Sequence, residues 1–175
     1  MRYVVLLRGI NVGGKAKVAM ATLRDVCASA GCEDVVTYIQ SGNVVLGSAL
    51  KAEELRSTLE AAIAAEFGFK PAVMIRTAKE MAAVVDRKPF PDADEKTLHV
   101  GFLHAAPAAA KKCLAAIDCH PEQLAVVRRE IYLHLPDGMG RAKLPALIGK
   151  ELERAGIVGT ARNWNTVERR LQMVQ

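Results

Sequence analysis

The chain of 175 residues is 51% hydrophobic and 25% charged, and its formal net charge is +5. This length suits one domain or two small ones, and the apolar fraction is sufficient for a buried core. No apolar run approaches the roughly eighteen residues needed to span a bilayer, and the N-terminus lacks the features of a secretory signal peptide. We therefore expect a soluble, cytoplasmic protein rather than a membrane or secreted one.

The positive charge indicates the chemistry of a partner. A basic protein favours anionic partners such as nucleic acid, nucleotide phosphate or an acidic protein surface. The basic residues are spread along the chain without a polybasic tail. A solvated, slightly basic surface therefore explains the charge equally well.

The first half of the chain alternates strand and helix patterns. Short apolar or β-rich runs predict four strands, at residues 3–7, 35–40, 44–46 and 72–76. Apolar residues at three- and four-residue spacing predict a helix over 19–30, ended by Gly31, and a second helix ended by Gly68. The predicted order is β-α-β-β-α-β.

The same order of elements recurs after a linker. A short helix is predicted over 79–87, and the two prolines within residues 88–92 then break the pattern. The second half has predicted strands at 98–103, 124–127, 131–135 and 157–161, and predicted helices at 107–117, 144–155 and 167–174.

The predicted fold class is therefore α+β. It consists of two tandem ferredoxin-like (βαββαβ) subdomains with an extra linker helix and a C-terminal helix. The predicted boundaries are residues 1–78 for the first subdomain, 79–96 for the helix and linker, and 97–175 for the second subdomain with its C-terminal helix.

A glycine-rich turn follows the first strand. Residues 8–15 are Arg-Gly-Ile-Asn-Val-Gly-Gly-Lys. Glycines let backbone N–H groups approach an anion, the next helix offers its positive end, and Arg8 and Lys15 add charge. The stretch matches neither GxxxxGK[ST] nor GxGxxG, however, and a strand-to-helix turn also needs glycine for its geometry alone.

A second polar cluster, at residues 40–43, ends the second strand. The predicted topology runs strands one and two in the same direction, so the turns that follow them open at one end of the sheet. The residues expected to converge there are Arg8, Asn11, Gly13, Gly14, Lys15, Gln40, Ser41 and Asn43. Amides and a hydroxyl in a tight turn also cap their own backbone, so ligand contact and local capping both stay open.

The second half contains another candidate cluster. Its loop at 137–143 and the exit of its last strand at 162–166 are expected to share one end of the sheet. Lys143, Arg162 and Asn163 are the candidate ligand-binding residues there. Trp164 is expected to pack against the core, and Asn165 or Thr166 to cap the last helix.

Three separated motifs resemble those of one protein family. They are the strand and turn at residues 3–14, the segment Thr-Tyr-Ile-Gln-Ser-Gly-Asn-Val at 37–44, and Thr-Ala-Arg-Asn-Trp-Asn-Thr at 160–166. Over essentially its whole length the chain is similar to domain-of-unknown-function family 1697, whose members are mainly bacterial, cytosolic and uncharacterised. The resemblance implies two ferredoxin-like subdomains and brings no established activity. The chain departs from the family at Ala19, where Pro is frequent, and at Ala142, where Ser is frequent.

Catalytic and metal chemistry have little support in the sequence. Cys27, Cys32, Cys113 and Cys119 form no CxxC pair, so we predict reduced thiols that bind no metal and form no disulfide. The histidines are scattered, no paired carboxylates stand out, and Ser41 is not in the GxSxG motif. The central strands also lack the aromatic pattern of RNA-recognition motifs. The sequence identifies no cofactor.

The main functional hypothesis is a binding protein for an anionic ligand, a nucleotide or nucleic-acid phosphate, at the glycine-rich turn. One alternative is an enzyme acting on a phosphorylated small molecule, with Lys15, Lys143 and Arg162 holding the phosphate. Another is a protein-interaction module without chemistry. Whether the chain is an enzyme, and its oligomeric state, stay open at this stage.

Overall fold

The computed structural model describes residues 1–14 and 16–175, so every prediction for Lys15 lies outside the described residues. The chain divides into two compact units. Met1–Ala83 together with Arg170–Gln175 form the first, and Val84–Arg169 form the second. The subdomain boundaries predicted from the sequence stay a prediction.

The first unit contains one four-stranded sheet. Its strands are β1 (Arg2–Leu7), β2 (Glu33–Tyr38), β3 (Asn43–Gly47) and β4 (Val73–Thr77), and its helices are α1 (Met20–Ser29), α2 (Ala52–Phe67) and the start of α3 (Ala78–Asp86). The strands lie in the order β2-β3-β1-β4, and each neighbouring pair is antiparallel. The apolar run of β1 occupies a central position, as its composition predicts, and residues 3–7 are all buried.

The two helix ends predicted at glycines are confirmed. After α1, the Cys32 N–H donates to the Cys27 carbonyl (3.1 Å) and the Gly31 N–H to the Ala28 carbonyl (3.0 Å). With Gly31 at φ 81°, this is a Schellman motif. The motif directs Cys27 and Cys32 into the apolar core that α1 and α2 form against the sheet.

The second strand differs from its prediction by two residues at each end. It begins earlier, at Glu33, because the irregular pairing between Glu33 and Val36 accommodates Asp34 at φ 48°. It ends at Tyr38 because Ile39, at φ 48°, has left the β region. The prediction of Ile39 and Gln40 as strand residues is therefore wrong, and both belong to the following turn.

The second unit also contains one four-stranded sheet. Its strands are β5 (Leu98–Leu103), β6 (Gln123–Val127), β7 (Glu130–His134) and β8 (Gly159–Asn163), preceded by a short 3-10 helix (Glu95–Thr97); its helices are α4 (Lys111–Ala115), α5 (Leu144–Arg154) and most of α6 (Trp164–Val174). The strand order is β6-β7-β5-β8, again antiparallel throughout. Both units therefore repeat one strand order, as the sequence predicts.

Two helices of the second unit differ from their predictions. Helix α4 covers only Lys111–Ala115, because residues 107–110 form a turn in which the Ala110 N–H donates to the Pro107 carbonyl (3.1 Å). Helix α6 begins at Trp164, where the Asn163 carboxamide oxygen accepts the Thr166 N–H (2.9 Å). Asn163 is thus the cap, and the prediction of Asn165 or Thr166 in that role is wrong.

The architecture is mixed α and β, with two four-stranded antiparallel sheets. Within the described part of the chain, no helix combines the length and apolar character needed to cross a membrane.

Candidate functional site

The turns after β1 and β2 meet at one end of the first sheet, which we call the first rim. It comprises residues 8–14 and 16–18, the turn 39–42, and the segment 67–72. The Leu7 N–H donates to the Gly42 carbonyl (2.8 Å), and the Arg8 N–H donates to the Ala72 carbonyl (3.0 Å). The predicted meeting of the two turns is therefore confirmed.

Asn11 joins the two turns through its side chain. Its Nδ2 donates to the carbonyls of Val18 and Gln40, both at 2.9 Å, and its Oδ1 accepts the Val18 N–H at 2.8 Å. Its backbone N–H also donates to the Ala16 carbonyl (3.0 Å). Both amide hydrogens and the carboxamide oxygen are thus used inside the protein, so Asn11 positions the rim.

The glycines of the rim have two different physical roles. Gly42, at φ 73°, has no room for a side chain, because a Cβ there would lie 2.9 Å from the Leu7 Cβ and 3.0 Å from the Ile10 Cδ1. Gly13 and Gly14 also have positive φ, but a Cβ on either would meet no atom within 4 Å. They shape the turn while leaving its outer surface accessible.

The remaining polar residues of the second turn differ in exposure. Asn43 is fully buried, and its Nδ2 donates to the Ser41 hydroxyl (2.8 Å), which favours local capping over ligand contact for this side chain. Gln40 and Ser41 are exposed. Gln40 is bonded to Asn11 through its backbone carbonyl, so that bond leaves its carboxamide uncommitted.

A depression of about 550 Å³ lies at the first rim. Its described lining residues are Asn11, Gly14, Lys17, Val18, Ala19, Gln40 and Phe67. Lys17 is exposed and contributes positive charge, and no carboxylate is among these residues. The lining therefore favours a ligand with negative charge.

The N-terminus of α1 borders this depression. Ala19 is the N-cap residue, with extended backbone (φ −71°, ψ 131°), and its methyl group cannot cap the helix. Among the described residues, no side chain accepts a hydrogen bond from the N–H groups of the first turn, and that turn contains no acidic residue. Neither Lys17 nor Ala19 is a predicted ligand-binding residue, because both lie outside the glycine-rich stretch.

Other cations of the rim differ in availability. Arg8 is exposed, and neither Arg8 nor Lys17 forms an ion pair with any residue that the structure describes. Lys70 already has a partner, since its Nζ lies 3.3 Å from a carboxylate oxygen of Glu60.

The predicted second cluster is largely committed to contacts within the protein. Arg162 is buried, and its Nη1 donates to the Thr160 hydroxyl (2.7 Å) and the Ala161 carbonyl (2.8 Å). Asn163 caps α6. The Lys143 side chain is exposed, but its backbone N–H donates to the Glu122 carboxylate (2.9 and 3.1 Å).

Glu122 places an internal carboxylate at the start of α5. The Leu144 N–H also donates to it, at 2.7 Å. Glu122 lies on the wall of a cavity of about 360 Å³ in the second unit, which Phe90, Leu114, Cys119 and His120 also line. The N-terminus of α5 is thus already occupied by an anion of the protein itself, unlike that of α1.

Burial shifts the pKa of several titratable groups. Burial, with a smaller contribution from Cys32, raises the pKa of the Cys27 thiol to about 12, which disfavours a reactive thiolate. Burial likewise raises the pKa of Tyr132, whose hydroxyl donates to the Val84 carbonyl (2.8 Å), and burial lowers the pKa of His99. All four cysteines are free thiols. Among residues 1–14 and 16–175, no group of three or more His, Cys, Asp or Glu side chains is arranged to hold a metal ion.

Two repeated four-stranded antiparallel sheets, with a depression lined by Lys17 at the rim of the first, define a mixed α and β protein with a candidate polar site built from loops. The sequence profile of the family described as "Protein of unknown function (DUF1697)" matches residues 1–132. The chain therefore belongs to this family, which confirms the resemblance found in its motifs.

A solved structure has the same fold. The conserved bacterial protein SP0830 from Streptococcus pneumoniae superposes with a TM-score of 0.83 at 25% sequence identity, over 99% of this chain and 97% of that one. No curated protein matches the sequence significantly.

Proposed function

We propose that the chain is a cytosolic binding protein for a phosphate-bearing ligand, a nucleotide or a nucleic-acid phosphate, held at the first rim. The observation that carries the proposal is the uncapped N-terminus of α1, which borders a depression lined by Lys17 and by no described carboxylate. Free N–H groups and the helix dipole together favour an anion at such a position.

The rim supplies three kinds of contact to this ligand. The first turn of α1 offers backbone donors, Lys17 offers charge at the depression, and the Gln40 carboxamide offers a neutral donor and acceptor there. Exposed Arg8 adds positive charge on the same rim, outside the lining of the depression. Asn11 holds the two turns in register, and both of its side-chain N–H donors are already used within the protein. The predicted contribution of Lys15 belongs to the same proposal.

We also propose a more specific description of the fold. Two units with the strand order β2-β3-β1-β4 and β6-β7-β5-β8, each built as β-α-β-β-α-β, support two tandem ferredoxin-like subdomains. In this fold the rim at the ends of the first and second strands is a natural place for a loop-built site.

Binding is preferred over catalysis on a specific ground. The enzymatic alternative needs Lys143 and Arg162 to hold phosphate, but Arg162 is buried in bonds to its own strand. The Glu122 carboxylate is bonded to the Lys143 backbone N–H, and its negative charge disfavours a phosphate there. The described residues of the first rim also include no nucleophile with an adjacent base.

Isothermal titration with ATP, AMP, inorganic phosphate and adenosine tests the proposal. We expect binding to the phosphate-bearing probes and none to adenosine. Loss of one charge-assisted hydrogen bond in Lys17→Ala should weaken nucleotide binding about ten- to a hundredfold, corresponding to roughly 1.5–3 kcal/mol.

Two further variants sharpen this test. Gln40→Glu keeps the side-chain shape and the backbone bond to Asn11 but adds a negative charge beside the site, so it should also weaken nucleotide binding. Lys51→Ala is the matched control, because Lys51 is an exposed lysine at the N-terminus of α2, at the other end of the sheet. Equal nucleotide affinity in Lys17→Ala, Gln40→Glu and Lys51→Ala would reject the first rim as the site.

A further inference from the structure

The second unit has a rim built in the same way as the first. We call it the second rim; it comprises residues 104–112, the turn 128–129, and residue 158. The Leu103 N–H donates to the Arg129 carbonyl (2.9 Å), and the His104 N–H donates to the Val158 carbonyl (3.0 Å). These two bonds repeat those of Leu7 and Arg8 in the first unit.

The turn of the second rim presents arginine where hairpins prefer glycine. Val127 pairs with Glu130, so only Arg128 and Arg129 connect β6 to β7. Arg128 has φ 56°, and a two-residue hairpin favours Gly, Asn or Asp at a position with positive φ. Arg128 thus has a backbone conformation that costs conformational free energy, and its guanidinium is exposed at the tip of the turn.

Further cations lie on the segment that leaves β5 at the same rim. Lys111 and Lys112 begin α4, seven and eight residues after His104, and both are exposed. Neither lysine, nor Arg128, forms an ion pair with any residue in the described ranges 1–14 and 16–175. Three exposed positive charges therefore have no internal carboxylate to neutralise them.

The geometry points to the second rim as a binding surface for the phosphodiester backbone of nucleic acid. Arginine and lysine contact phosphate oxygens directly, and such contacts release condensed counterions, which makes binding depend on salt but not on sequence. The aromatic side chains of the central strands, Phe102 and Tyr132, are buried and have no exposed face for stacking on bases.

A nucleic acid fits this surface better than a partner protein does. Protein interfaces place aromatic and apolar side chains at their centre. The large hydrophobic side chains that are exposed in the described chain are Met1, Val12, Val36, Ile39, Met139 and Leu147, and none belongs to the second rim. The surface is therefore cationic without an apolar centre, which is the pattern of a backbone contact.

Fluorescence anisotropy with a labelled single-stranded RNA of about 20 nucleotides, titrated between roughly 50 and 200 mM salt, tests this inference. Each phosphate contact contributes about 0.7 to the slope of log affinity against log salt for a single strand. Arg128→Ala and the double variant Lys111→Ala, Lys112→Ala should lower the affinity and reduce that slope, by about 0.7 for each contact removed.

Two variants separate binding from folding. Arg128→Gly removes the charge and also the positive-φ penalty, so it should weaken RNA binding while the free energy of unfolding rises or stays constant. Arg141→Ala is the charge-matched control, because Arg141 is exposed in the loop after β7, at the opposite end of the second sheet. If Arg128→Gly and Arg141→Ala bind RNA with the same affinity and salt slope, the inference is overturned.

Two competitors identify the ligand chemistry. An unlabelled DNA strand of the same length should compete with the RNA, because the contact is to phosphate. Polyglutamate should compete weakly, since it carries charge without phosphate oxygens. Competition by polyglutamate as strong as that by DNA would reject a phosphodiester site.

Discussion

The substitution Ala19→Asp tests the uncapped helix end most directly, because it should change stability and binding in opposite directions. Ala19 is exposed, lies at the N-cap of α1 and already has the extended backbone of a capping residue. An aspartate there can accept hydrogen bonds from the first-turn N–H groups without any backbone movement. The side chain would then occupy the place that we propose for the ligand anion.

The expected magnitudes follow from the cap geometry. Replacing alanine by a capping aspartate stabilises a helix by about 0.5–2 kcal/mol, which includes the favourable interaction of the carboxylate with the helix dipole. For a protein of this size, about 1 kcal/mol raises Tm by roughly 2–4 °C. Nucleotide affinity should fall about ten- to a hundredfold, since a carboxylate competes for the donors and repels phosphate.

Ala19→Ser is the matched control for this experiment. Serine supplies a capping oxygen without charge, so it should raise Tm by a similar amount and weaken nucleotide binding less than aspartate does. Differential scanning calorimetry gives Tm and isothermal titration gives the affinity. A variant Ala19→Asp that is more stable than the wild type and binds the nucleotide equally well would refute the location of the site at this helix end.

Four further outcomes follow from the described geometry. Gly42→Ala should destabilise the chain more than Gly13→Ala, by about 1–3 kcal/mol in urea unfolding, because both carry positive φ but only Gly42 is in close contact with other side chains. Asn11→Asp should lower the free energy of unfolding by about 1–3 kcal/mol, since it removes two donated bonds and sets a carboxylate against two carbonyls; an unchanged value would show that Asn11 does not hold the rim. Burial raises the pKa of the Cys27 thiol from 9.0 to about 12, so above pH 9.0 the unfolded chain releases a proton that the folded chain keeps. The Cys27 contribution to the free energy of unfolding is therefore complete below pH 9.0 and is lost as the pH rises through the folded pKa. This part of the pH dependence of stability should be absent in Cys27→Ala. At neutral pH a thiol reagent should modify exposed Cys113 before Cys27, and intact-mass spectrometry measures the order.

The order of elements was predictable because local patterns agree with the tertiary structure in most of the chain. The apolar run of β1 requires a central strand, and Gly31 and Gly68 mark helix ends through their freedom to adopt positive φ. Strand β5 begins and ends at the predicted residues. In these elements the residue types alone decide between helix, strand and turn.

The predictions failed where a tertiary contact overrides propensity. Ile39 is β-branched and was assigned to a strand, but the hairpin to β3 places it at φ 48°. The start of α6 depended on which of several polar residues caps it, and sequence does not rank Asn163 above Asn165. Spacing likewise gave no sign that Glu122 caps α5, because the two lie more than 20 residues apart.

The position of the candidate site was predictable from the sequence, but the identity of several of its residues was not. The direction of the strands correctly predicted that the two turns of the first rim meet. Lys17 and Ala19 belong to the candidate site only because they lie at the N-terminus of α1, where the N-cap residue supplies no capping side chain. The sequence does not single out the proposed second rim, because Arg128 and Arg129 have the pattern of an ordinary hairpin turn. The repeated order of elements is the available signal, since the turn at 128–129 corresponds to the turn at 39–42.

The side chain of Asn11 also makes the first rim depend on a long-range contact. Its bonds to Val18 lie within its own loop, whereas its bond to Gln40, 29 positions away in the sequence, needs the β2–β3 hairpin to lie beside β1. The complete rim therefore requires a pairing of distant segments, although its first loop lies near the start of the chain. The amide proton of Val18 reports the closure of the Asn11 loop, because its acceptor is the Asn11 side chain rather than a strand neighbour. Its rate of hydrogen exchange measures how often the rim opens while the sheet beneath it stays folded.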